Sequence, residues 1–160
     1  MARSSRARIA TGAIALVAAA ALVACSPITT NEQYAASDGV LVSLGDDASP
    51  AVTGENVLVV SEAEGEPGVV IGALTNRTDG PRSVTVSLDG VALTIVRVDA
   101  GETVTIGTES GPQIDIPAVP APPGAVTDLG FETPEDGAVT VAVPVLDGTL
   151  PEYADLLPAG

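Results

Sequence analysis

The chain offers a narrow set of reactive side chains: one cysteine, Cys25, 21 carboxylates and six arginines, with no histidine and no lysine. Ser-His-Asp sites, Cys-His sites and lysine bases all need groups that are missing. Zinc and copper sites built on imidazole or thiolate lose their ligands too, because the sole methionine is Met1 and Cys25 stands alone. A copper chaperone would need His or Met donors and is disfavoured on the same ground.

Carboxylate chemistry remains. Two carboxylates suffice for glycoside hydrolysis, but sugar clefts use aromatic platforms, and Tyr34, Phe131 and Tyr153 are the whole aromatic complement. No enzyme and no cofactor are expected. Glu62, Glu64 and Glu66 recur every second residue, which in an extended segment points three carboxylates to one side. A Ca²⁺ ion, taking about six to eight oxygens, is the weak candidate for them. Asp46-Asp47 and Glu135-Asp136 are further acidic pairs, and solvated turn carboxylates are the ordinary reading of all of them. Asn76-Arg77-Thr78 has the form of a glycosylation sequon and reads as a turn. There is no P-loop and no G-x-G-x-x-G segment after a strand.

Cys25 has a specific context. Arg3, Arg6 and Arg8 precede a run from Ile9 to Ala24 that is apolar or small throughout, the pattern of a bacterial export signal. Its 16 residues are short for a spanning helix, which needs ~20 to cross ~30 Å of hydrocarbon. Leu22-Val23-Ala24-Cys25 resembles a bacterial lipobox. That resemblance implies cleavage before Cys25 and a diacylglycerol on its sulfur. Each buried CH₂ is worth ~0.8 kcal/mol, so two acyl chains hold where one is marginal. The sequence therefore divides into a signal peptide (1–24), a lipidated N-terminus and tether (25–38), a β domain (39–146) and a C-terminal tail (147–160).

Cleavage changes the charge balance. Three of the six arginines leave with the signal, and all 21 acids lie beyond Cys25, giving a net charge of −18. Such a surface repels phosphate backbones, so no nucleic-acid partner is expected. It also weakens attraction to anionic headgroups, leaving the acylated Cys25 as the link to the lipid bilayer.

The elements that must carry these residues are strands. From Cys25 to Gly160 there are 136 residues, one domain's worth. The core must be aliphatic, and β-branched residues favour strands. Residues 40–44, 56–60, 68–75, 82–88, 91–98, 102–106, 125–131 and 138–145 read as strands separated by turn residues. Val84, Val86 and Leu88 alternate with Ser83, Thr85 and Ser87, the period of a half-buried strand. Asp89-Gly90 then predicts a tight hairpin with a type I′ turn. Four prolines between Pro117 and Gly124 exclude a central strand and predict a long connection across one end of the fold. The expected fold is all-β, an antiparallel immunoglobulin-like β-sandwich of seven to eight strands, with an open barrel as the alternative.

The tail carries Thr149-Leu150-Pro151-Glu152, which has capping-box spacing ahead of a short helix ended by Pro158. Tyr153, Leu156 and Leu157 either pack on the domain itself or form an apolar contact for a partner.

The segments Tyr34–Val40, Gly72–Asn76, Ala100–Val104 and Pro144–Pro151 together resemble small actinobacterial extracytoplasmic lipoproteins and are similar to the LpqE type associated with the respiratory supercomplex. The resemblance implies an accessory role, possible partnership with an integral membrane protein complex, and no catalytic residue. The expectation is a non-catalytic binding or accessory module on the outer face of the cell membrane. The alternatives are a structural cell-envelope lipoprotein without a dedicated partner, and a calcium-binding protein or carboxylate-based enzyme.

Overall fold

The computed structural model describes residues 37–108 and 110–157. Leu22, Val23, Ala24, Cys25 and Tyr34 lie outside the described residues. The strands are β1 (Val40–Asp46), β2 (Ser49–Ser61), β3 (Gly68–Asn76), β4 (Arg82–Leu88), β5 (Val91–Val98), β6 (Thr103–Ile106), β7 (Asp115–Ile116), β8 (Val126–Thr133) and β9 (Gly137–Leu146). One helical turn, α1 (Pro151–Ala154), follows.

The all-β expectation holds, but the strands form one curled, nearly closed sheet rather than two separate sandwich layers. Its order is β5-β4-β8-β9-β2-β3-β6, with β1 also on β2 and β7 also on β3. What joins the two halves is a parallel pairing of β2 with β9, Val59 opposite Val145 and Val60 opposite Leu146. Every other pairing is antiparallel. Strand patterning reports which residues are buried, not which edges meet, so a wholly antiparallel sandwich and this mixed barrel-like sheet read alike in the sequence.

β2 makes this arrangement possible. Its first part pairs with β1, from Val40 opposite Val57 to Asp46 opposite Ser49, and its end passes to β9. Between them Asn56 takes a positive φ of 52° and the register against β3 shifts between Glu55 and Leu58. The Asn56 side chain fixes this bulge, accepting a hydrogen bond from the Gly39 backbone N–H at 2.8 Å. Nearby, a Cβ on Gly54 would stand 3.1 Å from both Val42 and Val57. Only glycine lets β1 approach so closely without displacing its neighbours.

Strands β4 and β5 have the expected bounds, and Asp89 and Gly90 take φ values of 49° and 76°, as a type I′ turn requires. β7 was not foreseen, because two residues give no periodic signal. The connection from Pro117 to Gly124 contains no strand, as its prolines demand. It is tied down at Val119, whose N–H reaches Glu66 O at 2.9 Å and whose carbonyl accepts from Gly65 at 2.8 Å.

Two apolar clusters result. The main core gathers Val42, Leu44, Val57, Val59, Val70 and Leu74 against Val84, Val86, Val96, Val98, Leu129, Phe131, Val143 and Val145. A second lies on the opposite face of β2 and β3, where Leu58, Val60, Val69 and Ile71 meet Tyr153 of the tail. Alternation of side chains puts Val57 and Val59 in one cluster and Leu58 and Val60 in the other. The unbroken run from Val57 to Val60 is thus the mark of a strand covered on both faces.

Candidate functional site

The tail is the first region to test. Leu150 is the N-cap of α1 with no side-chain cap bond, and Pro151 opens the helix. The expected capping box is therefore absent: Thr149 points its hydroxyl at Asp147 Oδ1, and its N–H reaches the same oxygen at 3.0 Å. Proline at the first helical position sets the start one residue later than the Thr149 spacing implies. These bonds hold the Asp147 carboxyl below its ordinary value.

Of the three residues proposed for partner contact, Tyr153 is turned inward and buried in the second cluster, with half-buried Leu156 and Leu157 packed beside it. Its hydroxyl donates to Asp38 Oδ2 at 2.7 Å. Burial, then the Asp38 hydrogen bond and charge, push the Tyr153 phenol up to about 12. The C-terminal tail and Asp38, two residues before β1, are thereby clasped together. Tyr153 fits the reading in which the tail packs on its own domain. Asp38 was not singled out from the sequence, since one exposed carboxylate beside a glycine carries no signal of its partner.

The carboxylates are mostly engaged in turns. Glu62, Glu64 and Glu66 are all exposed in the β2–β3 connection. Their alternation would aim them together only in an extended segment, whereas the chain here bends, with Gly65 at a φ of 84° and Glu66 N–H bonded to Ala63 O at 3.2 Å. Among the described residues no three His, Cys, Asp or Glu side chains are grouped so that they could hold a metal ion, these three included. Ser61 supports the bend, its buried hydroxyl lying 3.1 Å from both Ala63 O and Pro67 O.

One ion pair is largely withdrawn from solvent. Arg82 Nε meets Asp136 Oδ2 at 2.6 Å, and Thr133 Oγ1 donates to the same oxygen at 3.0 Å. The Arg82 hydrogen bond is the main cause holding the Asp136 carboxyl below its ordinary value of 3.8. A carboxyl depressed in the folded state contributes stability above the unfolded value and loses it as pH falls toward the folded value. The stability advantage of the natural chain over Asp136→Asn should accordingly be constant above pH ~5 and shrink progressively below pH ~4. Thermal melts of both proteins across that range check it; an advantage that does not shrink in acid would assign the pair no such role.

Among the described residues Asn76 is the most heavily bonded polar side chain. It is fully buried, and its Nδ2 lies 2.8 Å from Gly80 O, 3.0 Å from Val98 O and 3.2 Å from Asp99 O. Its Oδ1 accepts from Thr78 N and Thr78 Oγ1 at 2.9 and 2.8 Å. The sequon-like Asn76-Arg77-Thr78 is thus a turn whose asparagine serves the fold. Among the described residues no buried side-chain nitrogen or oxygen lacks a hydrogen-bond partner.

No family model matches the chain, and no curated protein matches it. Solved structures do share its fold. The apo PCuAC domain from PmoF1 matches with a TM-score of 0.54 at 13% identity, covering 66% of this chain and 98% of that one. The copper-bound PCuAC domain from PmoF2 matches with a TM-score of 0.50 at 15% identity, covering 68% and 98%. At such low identity the likeness is one of fold: the described β domain has the strand arrangement of a PCuAC domain.

Proposed function

We propose that the chain is an extracytoplasmic lipoprotein, held on the outer face of the cell membrane by acyl chains on Cys25. Its β domain acts as a non-catalytic binding or accessory module for an integral membrane protein complex. The observation that carries the non-catalytic reading is the residue set on this fold, which has no histidine, no lysine and no free cysteine or methionine in the β domain. Likeness to PCuAC domains supports a binding module.

Copper does not come with the fold. One neighbour is copper-bound, but the soft and imidazole donors that copper prefers are absent from residues 26–160 here. Titration with Cu(I) against a competing chelator should give no stoichiometric uptake by the β domain; tight one-to-one binding would reverse this statement.

The anchored half of the proposal rests on the lipobox-like Leu22-Val23-Ala24-Cys25 and is consistent with the Asp38–Tyr153 clasp, which pins the domain end of the tether. Thirteen residues from Cys25 to Asp38 reach at most ~45 Å when extended. The domain would therefore work close to the bilayer, where a complex of the kind implied by the LpqE-type resemblance sits. Mass spectrometry of the mature protein should find Cys25 as an acylated N-terminal residue, and Cys25→Ala should abolish membrane retention. Purification in several mild detergents should recover a stoichiometric membrane partner. Acylation without any such partner would favour the structural-lipoprotein reading, and an unmodified Cys25 in an uncleaved chain would refute the anchor.

A further inference from the structure

Among the described residues the sheet order ends at β5, whose only partner strand there is β4. Among the described residues, the side of β5 facing away from β4 makes hydrogen bonds only at its extreme end, where Asn76 takes Val98 O. Natural edge strands are usually blunted by proline, by charge, by brevity or by a β-bulge, and β5 carries one such irregularity, at Leu93 opposite Val86 and Ser87. β5 has eight residues and no proline, and its single charge, Arg97, is paired with Asp99 at 2.9 Å. The opposite end of the sheet is better protected, because β6 has four residues and β7 two. β5 also exposes Val91 by 67% and Ile95 by 66%, the two most exposed large apolar side chains described. After the register shift opposite Val86 and Ser87, Thr94 to Arg97 run in unbroken register, a regular ladder awaiting a neighbour.

We propose that this edge docks an extended, basic, β-branched segment of a partner protein, which adds to the sheet as a further strand beside β5. Backbone hydrogen bonds would provide the affinity and alternate side chains the specificity. Charge selects the occupant. Ile95 stands in one row with Thr85 and Glu132, Asp89 and Asp99 flank the strand, and Arg97 is already neutralised. A second copy would bring a net charge of −15 against the same charge, whereas a strand bearing Lys or Arg meets a complementary field.

The test uses the full chain and two capped nine-residue peptides, one alternating valine with lysine, the other valine with glutamate. Amide exchange and chemical-shift titration should show the lysine peptide protecting the β5 amides that face away from β4, with the glutamate peptide binding at least tenfold more weakly. Val91→Lys/Ile95→Lys, at exposed positions and checked for an unchanged melting profile, should weaken the lysine peptide at least tenfold, while Ile95→Thr keeps measurable binding. The proposal is overturned by absence of protection at millimolar peptide, by equal binding of both peptides or by undiminished binding to the double variant. It is equally overturned if the β5 amides that face away from β4 are already protected in the free full chain, which would mean that its own N-terminal segment or a second copy occupies the edge.

Discussion

Replacing Asn76 with alanine should lower the stability of the β domain by about 3–5 kcal/mol, the largest effect expected of any polar substitution in the chain. The side chain joins the end of β3 to the end of β5 and to the turn at Gly80, through three carbonyls on one side and Thr78 on the other. Each bond contributes ~1 kcal/mol net, and a buried polar group left without a partner costs a further ~1–3 kcal/mol. Val98 O is the group that suffers, since Val98 is fully buried and water has no ready access. Asn76→Asp separates shape from donor chemistry. Its carboxylate would face three carbonyl oxygens without an N–H to offer, so the folded state raises its pKa and favours the protonated form. The loss for Asn76→Asp should therefore be smaller in acid and grow as pH rises through the carboxylate range. Thr78→Ala removes a partner of Oδ1 that is half-exposed and should cost only about 1 kcal/mol. Urea denaturation of the four proteins checks the order; an Asn76→Ala midpoint close to that of Thr78→Ala would dismiss the corner as an organising element.

That corner also marks the limit of what was legible in the sequence. Strands announced themselves where alternation and turns agreed, as in Arg82–Leu88, Asp89-Gly90 and Val91–Val98. The turn at Asn76-Arg77-Thr78 was readable too, but three residues cannot disclose that the asparagine reaches carbonyls more than twenty positions away. β2 was read short, from Asn56, because Pro50 and Gly54 look like breakers. In place they serve a strand that bends past β1, where a side chain at position 54 would press on Val42, Val57 and Leu74. The joining of β2 to β9 through two residue pairs left no sequence trace at all. The lipobox-like Leu22-Val23-Ala24-Cys25 lies outside the described residues, and composition supplied the exclusions. Composition showed that copper's usual donors are missing beyond Cys25, but not that the fold is shared with PCuAC domains.

Tyr153→Ala should cost about 3 kcal/mol and, unlike the Asn76 change, should also alter the surface. The ring covers Leu58, Val60, Val69 and Ile71 on the outer face of β2 and β3, and α1 is too short to hold itself there. Without the ring the tail loses its one large anchor, so the variant should bind an apolar dye and aggregate before it unfolds. Tyr153→Phe keeps the packing and removes only the bond to Asp38, which is exposed and regains water, so its cost should be about 1 kcal/mol. The phenol adds a pH signature. Its folded value of about 12 lies above the ordinary 10.0, so the neutral form is favoured by folding. That contribution is complete below pH ~10 and is lost as pH rises toward 12. The natural chain should therefore lose its advantage over Tyr153→Phe through this alkaline window, when the two are followed by thermal melting. An advantage that persists to the top of the range would show that the hydroxyl does not fasten the tail. The tail would then be held by Leu156, Leu157 and the ring alone, and the entry of the tether at Asp38 would be free to move independently of it.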